Sequence, residues 1–418
     1  RVVAPASLAR IVAPSMQTSR LALAAAVATA FTAVGLVPAH AGAPYASTIV
    51  VSQAAENAAN DQIYVRSKRD GSVAPVAGRV TKNNLDQVSA SAGGKDTNLD
   101  GALVVRIAWG DAPRSYRDGV GYRDRGAFED AVKELRSAAA DGVARDVVKA
   151  SAQLELVDTL VRWGAQDPTR FVEAATEAQT FLTTYAGNRE TPRARRLLGR
   201  ALWMSGKPAE AAATLKALWS ELQGTTTTQG YSVRECLEAG IHAARAFADA
   251  KDTLGAREVF TSLESQAGPL AAGAAADDPL KRVYQNIADE ASLGAGYVDL
   301  AGGQTKQALT FFQSKVGALT PQSSHALRFG AQLGLGEALL AEGKLREASL
   351  QLARAAALDP QDADRAARAL IKLAECYSKL DDTDARAQAC LRVKSVIGDA
   401  GGTPAALRAR QLQKDLGC

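Results

Sequence analysis

The run "DTNLDG" carries the sharpest chemical signature in these 418 residues. Asp96, Asn98, Asp100 and Gly101 reproduce the first half of a calcium loop, and Leu103 is apolar where such loops need it. The cage closes only if the twelfth residue is a carboxylate, and that position is Ile107. Asp and Asn also make hairpin turns by bonding their own backbone. The sequence therefore predicts a turn here and no metal. Histidine chemistry is equally thin. His40 lies in an N-terminal leader, and His242 and His325 belong to no metal-ligand cluster or Ser-His-Asp set. His242 falls within a helix and is expected to pack. "SGKP" has a Gly-Lys pair but lacks the upstream glycine and the following Ser/Thr of a phosphate loop, so it reads as a turn. No catalytic group, cofactor or small-molecule substrate is indicated, and the chain is expected not to be an enzyme.

The leader sets the compartment. Leu21 to Val37 is an apolar run preceded by Arg20 and followed by "PAHAG". Ala39 and Ala41 make the small-x-small pattern of a signal-peptide site, so cleavage after Ala41 is expected; translation is expected to start at Met16, and residues 1–41 are all assigned to the leader and signal peptide. Thr29, Thr32 and Gly35 break the run, which is short for a span of about 20 residues. No cysteine follows the site to take a lipid anchor. The expected location is the periplasm. Arg1, Arg10 and Arg20 leave with the leader, and the formal +4 falls to +1. That near-neutral remainder gives no reason to invoke nucleic acid or anionic lipid. Four cysteines remain, Cys236, Cys376, Cys390 and Cys418, which allow three complete pairings. Cys376 and Cys390 flank the turn "LDDTD", and Cys418 ends a short final helix over 403–418. The expectation is that Cys418 joins Cys376 or Cys390 and pins this capping helix; the alternative is buried, reduced cysteines.

Two textures divide the rest. Residues 42–60 read as a linker, although "TIVV" within it has strand character. Over 61–111, "QIYVRS", "VAGRVT", "DQVSAS" and "ALVVRIAW" are short β-branched or alternating runs. "RDG", "KNN" and "SAGGKDTNLDG" separate them as turn material, and Pro113 closes the segment. This predicts a small antiparallel β module of SH3-like size. From 116 to 400 the period is helical, and small residues recur on a ladder. Gly199, Ala211, Leu215 and Leu218 set the spacing. Ala244, Ala256, Phe260 and Leu263 repeat it, as do Gly336, Ala348, Leu352 and Ala355, with Pro360 following. Gly296, Ala308 and Phe312 form a weaker copy, and Ala374, Ala385 and Ala389 one with a shorter turn. "GAFEDAVKELRSA" and "RFVEAATEAQTFLTTYAGN" look like second helices of earlier copies. Twelve residues with a turn in the middle describe a helical hairpin whose small residues are expected to face each other. Each hairpin leaves an apolar flank for its neighbour to cover, so the units stack into a solenoid.

"LGLGEALLAEGKLREASLQLARAAALDP" and "LLGRALWMSGKPAEAAATLKAL" resemble tetratricopeptide repeats. The ladder anchors 199, 244, 296, 336 and 374 lie 38 to 52 residues apart, against about 34 in that family, so extended helices or linkers such as 267–280 are expected. The resemblance covers most of 120–400 and implies a mainly α solenoid. The order of leader, β module and repeats is similar to exported bacterial envelope proteins that scaffold others. It implies a non-catalytic scaffold that binds protein partners on its concave face, or a subunit that self-assembles. On the helix bearing Leu198, Gly199 and Leu202, a stripe of Arg193, Arg196, Arg200 and Trp203 lies over 90° from the packing face. Arg245 takes the place of Arg200 in the next repeat. Guanidinium groups beside an indole suit carboxylates and stacked rings, so an acidic or C-terminal peptide is the expected partner there.

Overall fold

Alternation along the first strands turns Ile63, Val80, Val88, Ala90 and Val104 to one face, and all five are buried together. The computed structural model describes residues 60–418, apart from Lys68, Asp70, Thr225, Pro279 and 359–362. The leader, the cleavage site and "TIVV" lie outside the described residues. Strands β1 (Asp61–Arg66), β2 (Val73–Asn83), β3 (Gln87–Ala92), β4 (Lys95–Asp100) and β5 (Val104–Ala108) form one antiparallel sheet in the order β4-β3-β2-β1-β5.

The expected turn "SAGGKDTNLDG" shrinks to two residues. Gly93 and Gly94 both have positive φ, +56° and +76°, which suits a two-residue hairpin turn. Lys95–Asp100 is then a strand paired with Gln87–Ala92 along its whole length. The run that imitates a calcium loop is thus the outer edge of the sheet, where charge discourages further pairing. Asp100 Oδ1 accepts from the Ala102 amide at 3.1 Å and starts a 3₁₀ turn, Gly101–Leu103.

Sixteen helices follow among the described residues, mostly as hairpins: α1 (Arg114–Asp124) with α2 (Phe128–Ala139), α3 (Asp146–Trp163) with α4 (Arg170–Thr184), and α5 (Thr191–Met204) with α6 (Pro208–Trp219). A two-strand ribbon, β6 (Leu222–Gln223) and β7 (Thr226–Thr227), precedes α7 (Val233–Asp249) and α8 (Thr253–Gly273). The next first helix is broken into α9 (Lys281–Ala291) and α10 (Gly294–Ala301), and pairs with α11 (Thr305–Gly317). Then come α12 (His325–Ala341) with α13 (Leu345–Leu358), α14 (Ala363–Ser378) with α15 (Thr383–Asp399), and the last helix α16 (Pro404–Leu416). The result is a tetratricopeptide-like solenoid behind a β module. Helix α8 runs through Pro269 to Gly273, where a linker was expected. Ala267 and Ala271 are buried in the main core there, and that packing outweighs the local preference against proline and glycine.

The glycine ladder works differently from the expectation. A Cβ on Gly336 would lie 2.6 Å from Leu352 Cγ, and one on Gly199 would lie 2.6 Å from Leu215 Cγ. The notch therefore receives the large residue sixteen positions on, not the alanine twelve on. Gly296 receives Phe312, sixteen on, together with its neighbour Phe311. Gly119, which the sequence reading passed over, receives Leu135 and heads a further copy with Ala131 and Ala138. The twelfth-position alanines 131, 211, 256, 308 and 348 are fully buried as well. Gly336→Ala should destabilise by about 1–3 kcal/mol through overpacking, although alanine is the better helix former by about 1 kcal/mol. Combined with Leu352→Ala, the loss should be less than the sum of the two singles. Urea unfolding of the four proteins measures this, and strict additivity would sink the notch.

The β module is bolted to the helices at two places. Arg189 N donates to Asn83 O at 3.0 Å and Leu85 N to Gly187 O at 2.9 Å, so the β2–β3 corner sits on the turn before α5. Gly230 faces Leu85 O so closely that a Cβ would lie 2.1 Å from it. At the other place Arg145, preceding α3, donates to Asp61 Oδ1 (2.8 Å), Val80 O (2.7 Å) and Asp111.

Candidate functional site

First helices of the hairpins turn charged side chains inward, and α16 lies over them. Apolar Ala406, Ala409 and Leu412 seat α16 on α14 and α15, while Leu407 reaches the core built from α2 to α5. The turn before α16 meets helices far back in the stack. Arg200 Nη2 donates to Gly402 O at 2.7 Å, and Arg410 Nη2 donates to Ala165 O at 2.7 Å. Gly401 is needed for this approach, since a Cβ there would lie 2.5 Å from Ala165 O. The final helix thus caps the last hairpin and also returns to the third and fifth helices. Cys390 and Cys418 form a disulfide, with Cα atoms 5.7 Å apart, tying α15 to the residue behind α16. Cys376 is a buried thiol that donates to Leu345 O, and burial pushes the Cys236 thiol up to about 12.

The predicted stripe is brought together on this inner side, and each member already has a partner in the chain. Arg193 donates to Glu155 at 2.9 Å, beside Arg123 on the same carboxylate. Arg196 stands 3.6 Å from Glu238, and Arg200 holds Gly402 O. Trp203 Nε1 donates to Asp249 at 3.0 Å. Arg245 grips both oxygens of Glu290 at 2.6 Å and reaches Asp364 at 3.3 Å. Those to Glu155, Glu238, Asp249 and Glu290 are struts between neighbouring repeats, and those to Gly402 and Asp364 tie distant ones together. Arginine suits them because one planar fork bridges two acceptors. His242 does not pack in the apolar core. It lines the inner surface with Arg196, Arg200 and Asp364, and burial, with Arg245 beside it, lowers its pKa to about 4.

Three adjoining cavities open between the struts. One of about 580 Å³ is walled by Trp203, Arg245, Tyr297, Arg368, Lys372 and α16. A second, about 310 Å³, lies by Arg196, Arg200 and His242, and a third, about 340 Å³, by Glu337, Arg368 and Lys379. Across the three, eight cationic side chains face six anionic ones. The surplus resides in Lys251 and Lys379, whose ammonium groups make no hydrogen bond or ion pair among the described residues. Sequence reasoning missed both. The signal for Lys251 was present, since the hairpin turn "DAKDT" has lysine where "RGA", "SGK", "GGQ" and "EGK" have glycine.

No group of three or more His, Cys, Asp or Glu among the described residues is arranged to hold a metal. No helix among them is long and apolar enough to cross a membrane. No family model matches the chain, and no curated protein does. Among solved structures it is similar to a tetratricopeptide repeat protein from Parabacteroides merdae, at 13% identity over 69% of this chain and 94% of that one, with a TM-score of 0.44. It is also similar to RapI in its apo form, at 10% identity over 72% and 86% of the two chains, TM-score 0.36. A putative kinesin light chain with nearly identical TPR-like repeats, from Podosopora anserina, aligns at 18% identity over 51% and 95%, TM-score 0.33.

Proposed function

We propose that this chain is a non-catalytic scaffold holding an acidic segment of a partner protein in the groove beneath α16. One observation carries the reading. Lys251 is the only non-glycine residue among the described ones with positive φ, at +63°. It stands seven residues after its ladder anchor, where Gly126, Gly206, Gly303 and Gly343 stand in other hairpins, all with φ between +75° and +82°. A side chain there costs about 1 kcal/mol relative to glycine. Strain of this kind gathers where a side chain is needed. Lys251 lines two of the three cavities, and Trp203 and Arg245 share the largest with it. The segment's carboxylates would meet Lys251 and Lys379, and Trp203 would offer its ring to an apolar side chain.

Lys251→Gly tests this because its two expected effects point in opposite directions. Stability should rise by about 1 kcal/mol. Affinity for a fluorescein-labelled hexaglutamate peptide should fall about fivefold, the equivalent of about 1 kcal/mol, and Lys379→Gln should lower it further. Anisotropy titrations at low salt read the second effect, denaturant midpoints the first. A stabilised variant that binds the peptide as before would remove the groove as the site. The leader reading of residues 1–41 places this scaffold in the periplasm, where an intact mass beginning at Gly42 would be recovered.

A further inference from the structure

The two edges of the β-sheet are built differently. The β4 edge is polar, with Lys95, Asp96 and Asn98 exposed, as edges that avoid pairing are. The β5 edge reads Val-Val-Arg-Ile-Ala, and its side away from β1 has no strand partner among the described residues. Val105 on it is 45% exposed, and the Arg106 guanidinium lies 3.6 Å over the Tyr64 ring. The edge is partly exposed and also borders a cleft. It forms one wall of this cleft, of about 510 Å³, whose other wall comes from α3, α5 and the start of α7. The walls are fixed to each other, since Arg189 Nη1 donates to Val104 O at 2.9 Å.

Two polar groups in that cleft lack partners among the described residues. Trp109 Nε1 is buried with no acceptor. The half-buried carboxylate of Glu235 receives no hydrogen bond or ion pair among the described residues, and burial raises its pKa. The other carboxylates of the cleft are taken, Glu155 by Arg123 and Arg193, and Glu190 by Arg189. An extended chain would satisfy both orphans and complete the sheet. Beyond Val104, whose carbonyl Arg189 holds, the four residues Val105 to Ala108 offer about 14 Å of edge for it. We infer that β5 is a strand-addition site for an extended segment of a partner protein bearing a basic side chain. The segment's backbone pairs with β5, one carbonyl accepts from Trp109 Nε1, and the basic group pairs with Glu235. Main-chain bonds give such sites affinity, and alternate side chains give them specificity. This site is separate from the groove beneath α16.

The test uses the full chain and two labelled heptapeptides, Val-Thr-Val-Lys-Val-Thr-Val and its Glu counterpart. The Lys peptide should bind at least tenfold more tightly. Glu235→Gln should abolish that preference and leave hexaglutamate binding unchanged, which separates this inference from the groove reading. Methylating alternate amides of the Lys peptide should abolish binding, and undiminished binding of the methylated peptide would overturn strand addition. A benzophenone side chain at position 105 should cross-link to the bound peptide. Cross-links to residues 48–51 of the same chain, or to a second copy, would overturn a foreign partner.

Discussion

Glu290→Ala should destabilise the middle of the solenoid by about 3 kcal/mol, the lower end of what is lost when one member of a buried ion pair is removed. Glu290 is 9% exposed, and both its oxygens are held by Arg245 at 2.6 Å. The pair joins α7 to α9 across 45 residues of chain. Without the carboxylate, the guanidinium keeps only Asp364 among the described residues, at 3.3 Å. That remaining partner is why the lower end is expected. Glu290→Gln restores the shape and one acceptor but not the charge, and should fall between wild type and alanine. Replacing both residues by apolar ones of similar size should cost less than Glu290→Ala alone, because no orphan charge is left. Hydrogen exchange within α7 and α9 reads the loss locally, which suits a stack whose units open separately. An unchanged exchange pattern in Glu290→Ala would show that the pair is not a strut.

The same groups make stability fall with acid in two stages. Burial and Arg245 put the folded-state pKa of His242 at about 4, below its ordinary 6.5. The unfolded chain therefore takes up this proton first, and stability is lost as pH falls from 6.5 to about 4, by about 3 kcal/mol at most. For Glu290, burial opposes the charged form but Arg245 prevails and depresses the pKa. For Glu155, Arg193 and Arg123 do the same. Those contributions are present above the ordinary glutamate value of 4.5 and are lost below it. His242→Gln should remove the upper stage and leave the lower.

What the sequence disclosed was whatever repeats at short range. The ladder of Gly199, Ala211 and Leu215 is visible because helix, turn and helix are contiguous, and every copy must solve the same packing problem. Its detail was misjudged, because a glycine notch is filled by the residue that leans into it, and side chains lean along the helix away from their own Cα. Leu352 enters the Gly336 notch for that reason. The β4 strand was hidden by charge, since polar residues suit a turn and an exposed edge equally well. The Arg193–Trp203 stripe was visible as a face. Its partners were not, because Arg200 meets Gly402 across 202 residues and Trp203 meets Asp249 across 46. Nothing in local pattern announces that α16 returns to the third and fifth helices.

Arg145→Ala should loosen the β module while leaving most of the helical stack intact. Asp61 is fully buried, and its carboxylate accepts from Val80 N at 2.8 Å, Gly110 N at 2.9 Å and Arg145 at 2.8 Å. The two amides belong to the module, and the guanidinium belongs to the helical domain. Arg145 also holds Asp111, whose pKa it depresses against the opposing effect of burial, and Val80 O at 2.7 Å. Removing it strands a buried carboxylate and frees a carbonyl, a loss of about 3–5 kcal/mol at the junction. Arg145→Lys should recover little, because an ammonium has no planar fork with which to span three acceptors. The expected readout is early proteolytic cleavage and faster hydrogen exchange in β1 to β5, with α5 to α15 protected as before. Loss of the junction also displaces one wall of the β5 cleft. Binding of the Lys heptapeptide should therefore disappear in Arg145→Ala, while hexaglutamate still binds beneath α16. If β1 to β5 stay protected in Arg145→Ala, the contacts at Leu85 and Arg189 hold the module by themselves, and the buried Asp61 is satisfied by its two amides alone.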